Sequence, residues 1–203
     1  MHSKFGDIKK AREEFNRMKD RDVVTYSTLI TALADHGKAN EALDLFSKMQ
    51  EEGIKPNQVC FTGVLNACGH AGMIEQGCKL FELMNKVFGI EPVKEHYTCM
   101  VDLLGRAGEV ETAYSLIKGK VRAIDAKIWG SLLGACKIHG NVELGEIAAR
   151  HLFEMEPENT GNYVLLANTY AQRKEWDEAE RVRNMMAERG IKKSPGYSWI
   201  RST

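Results

Sequence analysis

The chain has 203 residues and no net charge, with 28 Lys and Arg balanced by 28 Asp and Glu. That balance removes the basic surplus that phosphate-binding proteins usually carry, although a local stripe can be basic on a neutral chain. The apolar runs stay short of the roughly 20 residues a membrane span needs. The five cysteines (Cys60, Cys68, Cys78, Cys99 and Cys136) are odd in number and lack C-x-x-C spacing, which excludes a disulfide framework or a zinc site and fits a reducing compartment.

In chain order, the organising signal is a repeat. Gly6, Gly37, Gly72, Gly108 and Gly140 each stand five residues before a small residue: Ala11, Ala42, Gly77, Ala113 and Gly145. Lys174 and Ala179 continue the series without the glycine. The spacings are 31, 35, 36, 32 and 34 residues. Two helical runs per period of this length predict an all-α solenoid of helix-turn-helix repeats wound as a right-handed superhelix.

Residues 1–22 supply only the second helix of a truncated unit, over about 7–19, so the chain reads as a fragment of a longer protein. Its Ile8, Phe15 and Met18 are expected to lie exposed where a partner helix is missing, giving a homodimer contact. In unit 23–57, Tyr26, Leu29, Ile30 and Leu33 mark the first helix, Gly37 ends it, and Asn40 is expected to cap a second helix carrying Ala42, Leu45, Phe46 and Met49. Pro56 marks the stop. Unit 58–93 is read as helices 59–71 and 74–87, and unit 94–125 as 95–107 and 110–119. Unit 126–159 is read as 127–138 and 142–154, and unit 160–203 as 161–172 and 176–188. After the last helix, Tyr197, Trp199 and Ile200 are expected to dock back on the final helix pair. Cys68 and Cys136, each four residues before a repeat glycine, read as core positions.

The run "VVTYSTLI…HGKANEALDLFSKM…EGIKPN" resembles the pentatricopeptide repeat, and the varying unit lengths resemble the plant PLS subclass. Unit 1–22 reads as a truncated S-type repeat and 23–57 as a P-type repeat. "FTGVLNACGHAGMIEQGCKLFELM" in 58–93 resembles an L-type repeat, and "EHYTCMVDLLGRAGEVETAYSLI" in 94–125 an S-type repeat. "WGSLLGACKIHGNVELGEIAARHLFEMEPEN" and "NYVLLANTYAQRKEWDEAERVRNMMAERGIKKSPGYSWI" are similar to the two E motifs of such proteins, the first of them close to a tetratricopeptide repeat.

The resemblance implies single-stranded RNA binding in a chloroplast or mitochondrion, in service of C-to-U RNA editing. It implies that a repeat reads one base through its fifth and last residues, with its second residue packing on base faces. Here those positions are Ser27 and Asn57 with Val24, Thr62 and Val93 with Val59, and Thr98 and Asp125 with Glu95 in place of an apolar residue. Ser with Asn is expected to favour adenine. Val93 has no hydrogen-bonding group and should choose weakly. Thr98 with Asp125 nominally suits guanine.

Editing requires a zinc deaminase with an H-x-E motif and a distant C-x-x-C. Neither occurs, and no nucleophile elbow or phosphate-binding loop is present. No catalytic residue, metal site or cofactor is therefore expected, and the chain is read as a non-enzyme. A deaminase would act from the same longer chain or in trans, and small organellar editing cofactor proteins are expected partners, with unit 58–93 as a candidate surface. The rival reading is a protein–protein scaffold. Charge along the first helices separates the two: a basic stripe favours RNA, and a mixed or apolar groove favours protein. RNA at the N-terminal half and protein at the C-terminal half is the combined expectation.

Overall fold

The computed structural model describes residues 8–120 and 124–190, although the side chains of 119 and 120 are not included. Eleven helices and no strand occur among these residues. They fall into two compact units that divide between Ile124 and Asp125. The docking expected of Tyr197, Trp199 and Ile200 lies outside the described residues. Among the described residues, no helix is long and apolar enough to cross a membrane.

The first unit holds α1 (Ile8–Arg17), α2 (Val23–Asp35), α3 (Ala39–Glu51), α4 (Gln58–Ala71), α5 (Ile74–Lys86), α6 (Lys94–Arg106) and α7 (Val110–Lys120). The second holds α8 (Ala126–His139), α9 (Val142–Met155), α10 (Thr160–Gln172) and α11 (Trp176–Glu188). The packing within each unit repeats. A first helix lies against its own second helix and against the next first helix: α2 on α3 and α4, α4 on α5 and α6, and α8 on α9 and α10. The first helices supply much of the core: Tyr26, Ile30 and Leu33 on α2, Phe61, Val64 and Leu65 on α4, and Leu132, Leu133 and Cys136 on α8 are all fully or nearly fully buried, and Met49 on α3, Met84 on α5 and Leu152 on α9 meet them from the second helices. Cys68 is buried as well, and its desolvated thiol is pushed up to about 11.

The turn inside each pair is set by the repeat position. Gly72 and Gly140 close α4 and α8 in the left-handed conformation (φ 67° at both), their N–H groups donating to Cys68 and Cys136 four residues back. Glycine takes this backbone without a Cβ clash. Lys174 adopts φ 63° at the same repeat position and is the one non-glycine with positive φ among the described residues.

Two expectations are corrected. Asn40 does not cap α3: the cap is two residues earlier, at Lys38, with no side-chain cap bond, and the helix opens at Ala39, so Asn40 lies inside the first turn. Phe15 is not exposed on α1. It is 5% accessible, its ring meeting Tyr26 edge-on at 5.0 Å, with the Arg21 guanidinium 4.7 Å from its centre. Arg21 also donates from Nε to the Phe15 carbonyl at 3.1 Å, so the C-terminal end of α1 is tied to the loop before α2. Met18 remains 42% exposed.

Candidate nucleic-acid interface

Three helices of the first unit, α2, α4 and α6, lie side by side in sequence order and open in the same way. Each is preceded by an extended residue at its N-cap: Asp22, Asn57 and Val93. The second helical residue of each points away from the core. Val24 is 61% exposed and Val59 is 53% exposed, values that large apolar side chains reach only when nothing packs on them, and Glu95 is also exposed. Three residues further, on the same helical face, each helix carries a hydroxyl. Ser27 Oγ donates to the Val24 carbonyl at 3.0 Å, Thr62 Oγ1 to the Gln58 carbonyl at 3.0 Å and Thr98 Oγ1 to the Lys94 carbonyl at 2.8 Å. In each case the proton is engaged by the helix and the oxygen's lone pairs are left as acceptors. Thr62 and Thr98 are half-buried; Ser27 is 5% exposed, the most recessed of the three.

The residues at the ends of the repeats have a second task. Asn57 caps α4, its Oδ1 accepting from the Cys60 N–H at 3.0 Å. A capping carbonyl is committed to the backbone, so the amide N–H groups are what Asn57 can offer elsewhere. Asp125 caps α8 in the same way, accepting from the Ile128 N–H at 3.2 Å. Thr98 belongs to the first unit and Asp125 opens the second, and each is described within its own unit. Val93, 36% exposed, has no side-chain cap to give, and its N–H instead donates to His96 Nδ1 at 3.1 Å. The other ring nitrogen, Nε2, donates to the Gln58 carbonyl at 2.9 Å. His96 is fully buried, and desolvation lowers its pKa. The neutral ring thus pins the start of α6 to the start of α4.

Sequence reading missed the continuation of this strip. Thr31 and Asn66 lie seven residues after Val24 and Val59, one helical repeat further along the same face, and both are half-buried. Thr31 Oγ1 donates to the Ser27 carbonyl at 2.9 Å. The signal was available as polar residues three and seven positions after Val24 and Val59 on otherwise apolar helices. The corresponding residue of α6 is Asp102, paired with Arg106 at 2.9 Å.

The strip is not basic. Across α2 and α4, Asp35 is the only side chain among the Asp, Glu, Lys and Arg classes. The cations of this unit stand mostly on α1 and the second helices, where several are paired with acids on their own or a neighbouring helix, as in Arg12 with Glu41 and Lys86 with Glu82. Among the described residues, no group of three or more His, Cys, Asp or Glu could hold a metal ion.

The second unit differs in chemistry. Trp129 stacks on His151 with ring centres 4.1 Å apart, and Phe153 on Tyr163 at 4.0 Å. Arg189 donates to the Tyr163 hydroxyl at 2.8 Å, which in turn donates to the Pro157 carbonyl at 2.9 Å. A hollow beside α10 and α11 is lined by Tyr163, Val164, Ala167, Asn168, Arg183 and Met186, and Trp176 is 62% exposed at the start of α11.

Comparison with known proteins covers most of the chain. Residues 21–70 match the PPR repeat family, residues 59–86 and 95–119 match the PPR repeat, and residues 139–201 match the E motif. A pentatricopeptide repeat-containing protein of Arabidopsis thaliana is 49% identical over 98% of this chain and 31% of its own length. A mitochondrial one from the same plant is 48% identical, over 98% and 32%, and the chloroplastic protein CRR2 is 46% identical, over 98% and 30%. The chain thus spans about a third of the length of these curated relatives. In fold, it is similar to maize PPR10 (TM-score 0.70, 21% identity, covering 91% of this chain and 27% of that one) and to PPR10 in complex with an 18-nt psaJ RNA element (TM-score 0.77, 18% identity, covering 94% and 29%).

Proposed function

Because this chain belongs to the pentatricopeptide repeat family and carries its E motif, we propose that it is a single-stranded RNA-binding module of an organellar C-to-U editing factor. The first unit reads a few bases and the E-motif unit positions or recruits a deaminase, in the same longer chain or in trans. The names of its relatives support a chloroplast or mitochondrion as its home. The chain itself binds and does not catalyse. Small editing cofactor proteins are partners of unit 58–93 in this reading, and the exposed Met18 is what remains of the expected homodimer contact.

The observation that carries the reading is the tandem arrangement on α2 and α4: an exposed valine, a hydroxyl three residues on, and a polar cap. The hydrogen-bond chemistry of the pair Ser27 and Asn57 is directional. The hydroxyl oxygen is an acceptor and the Asn57 amide a donor. Adenine presents an amino donor beside a ring-nitrogen acceptor on its Watson–Crick edge, the complement of that pair. Val24 and Val59 supply apolar surface for base faces, with less stacking than an aromatic platform would give.

Fluorescence anisotropy with short single-stranded RNAs, each base in turn at the reading position, tests this at low and physiological salt. Binding with adenine preferred supports it. No binding to any RNA at low salt sinks it and leaves the scaffold reading, which the missing basic stripe on α2 and α4 and the hollow beside α10 and α11 favour.

A further inference from the structure

We propose that Glu95 terminates the base-reading tract, so that RNA contact on the first unit is confined to α2 and α4. The inference rests on the RNA-binding reading above and deepens it. The helices α2, α4 and α6 repeat the same local geometry, down to the hydroxyl whose proton is engaged by the preceding turn. α6 therefore keeps the reading hydroxyl, Thr98, on the face where the other two have theirs. What changes is the residue beneath it. Where α2 and α4 show exposed Val24 and Val59, α6 shows exposed Glu95.

A base packing its face on valine displaces water from an apolar surface. The same base over Glu95 must strip water from a carboxylate, and its phosphates meet a like charge. The next residue gives no relief. His96 has both nitrogens hydrogen-bonded and is held neutral by burial, so it brings no positive charge to offset Glu95, and the exposed Lys94 on the other side of Glu95 does not share its face, since adjacent helical residues do not face each other. At the other edge, Val93 brings no hydrogen-bonding side chain to the step between α4 and α6. Recognition thus has apolar packing through Val59 and meets repulsion one helix later. A strand that continues past α4 is turned away from α6, so the reading frame has a defined end.

The test is anisotropy titration of the whole chain with a single-stranded oligoadenylate about 12 nucleotides long, long enough to reach all three helices. Wild type is compared with Glu95→Val, Glu95→Gln and the mirror substitution Val24→Glu, at low and physiological salt. Both positions are exposed, so the fold is not at risk. The expected result is tightening by roughly fivefold for Glu95→Val at both salts, and a smaller gain for Glu95→Gln that fades as salt screens the charge. Val24→Glu should weaken binding by a similar factor. If Val24→Glu weakens binding while Glu95→Val leaves it unchanged or weaker, Glu95 is not a terminator although the RNA reading stands. If neither wild type nor any variant binds, the RNA reading is wrong and the role of Glu95 falls with it.

Discussion

Lys174 holds a backbone that glycine holds elsewhere in the repeat. Its φ of 63° matches the 67° of Gly72 and Gly140, and a side chain in that region clashes with its own carbonyl. Replacing Lys174 with glycine should raise stability by about 1 kcal/mol, the strain removed outweighing the added freedom of the unfolded chain. Urea denaturation measures this, and a loss of stability would mean that the lysine side chain does something for the fold that its contacts do not reveal. The position was legible in the sequence as the sixth member of a glycine series. Its conformation was not, because only the hydrogen bonds around the turn force a lysine into it. His96 was the opposite case, since no pattern marked it. It emerges as a buried ring bridging the Val93 N–H and the Gln58 carbonyl. Removing it in His96→Ala orphans both groups and should cost about 3 kcal/mol. Its depressed pKa carries a sign. Below the ordinary histidine range near 6.5 the unfolded chain takes up the proton first, so this stability is complete above that pH and is lost as pH falls through the lower folded value. Stability measured from pH 7.5 downward should fall more steeply in wild type than in His96→Ala, and parallel curves would contradict the assignment.

At the scale of the helix, glycines divide by what surrounds them. Gly63 on α4 faces α2 so closely that a Cβ would come within 2.9 Å of Ile30 Cγ2 and 3.3 Å of Thr31 Oγ1. Ile30 is fully buried and its methyl has nowhere to move. Gly63→Val should therefore cost about 2 kcal/mol by overpacking and push α2 and α4 apart, disturbing Ser27 and Thr62 together. Gly134 on α8 has open space at the same test, and Gly134→Ala should stabilise by about 0.5–1 kcal/mol through helix propensity. Denaturation of the two variants checks the contrast, and effects of the same sign would refute it. The helix spans were largely legible from apolar periodicity. The first helices of the later units, α4, α6, α8 and α10, begin one residue earlier than that periodicity indicates. The reading started them at residues 59, 95, 127 and 161, whereas the backbone turns helical immediately after Asn57, Val93, Asp125 and Asn159. Three of those four side chains cap the helix they precede. Asn40 misled in the same direction: α3 follows a tight glycine turn whose geometry places the cap at Lys38, leaving a good capping residue inside the helix. On α1, an aromatic in a truncated unit suggested an exposed face, yet Phe15 finds Arg21 at the end of its own unit and Tyr26 in the next.

At the scale of the whole molecule, electrical neutrality and the absence of Lys and Arg from α2 and α4 set the mode of recognition that the proposed function would use. With one charged side chain on α2 and α4 together, the RNA binding we propose would draw little from phosphate neutralisation and would depend on base faces and base edges. Affinity is then modest and base choice is its sharper property. The candidate residues were legible only through resemblance to a family, because a serine and an asparagine on different helices have no sequence pattern that joins them. The cap at Asn57 adds a physical reason for the proposed adenine preference, since it fixes which end of the amide faces outward. The most direct measurement is a base-preference titration of wild type and Asn57→Asp. Aspartate caps a helix as well as asparagine does, so the fold is kept while the outward donor becomes an acceptor. The account predicts adenine preference in wild type and a shift toward guanine, whose Watson–Crick edge carries N–H donors, in Asn57→Asp. RNA binding with the same base preference in both proteins would contradict it.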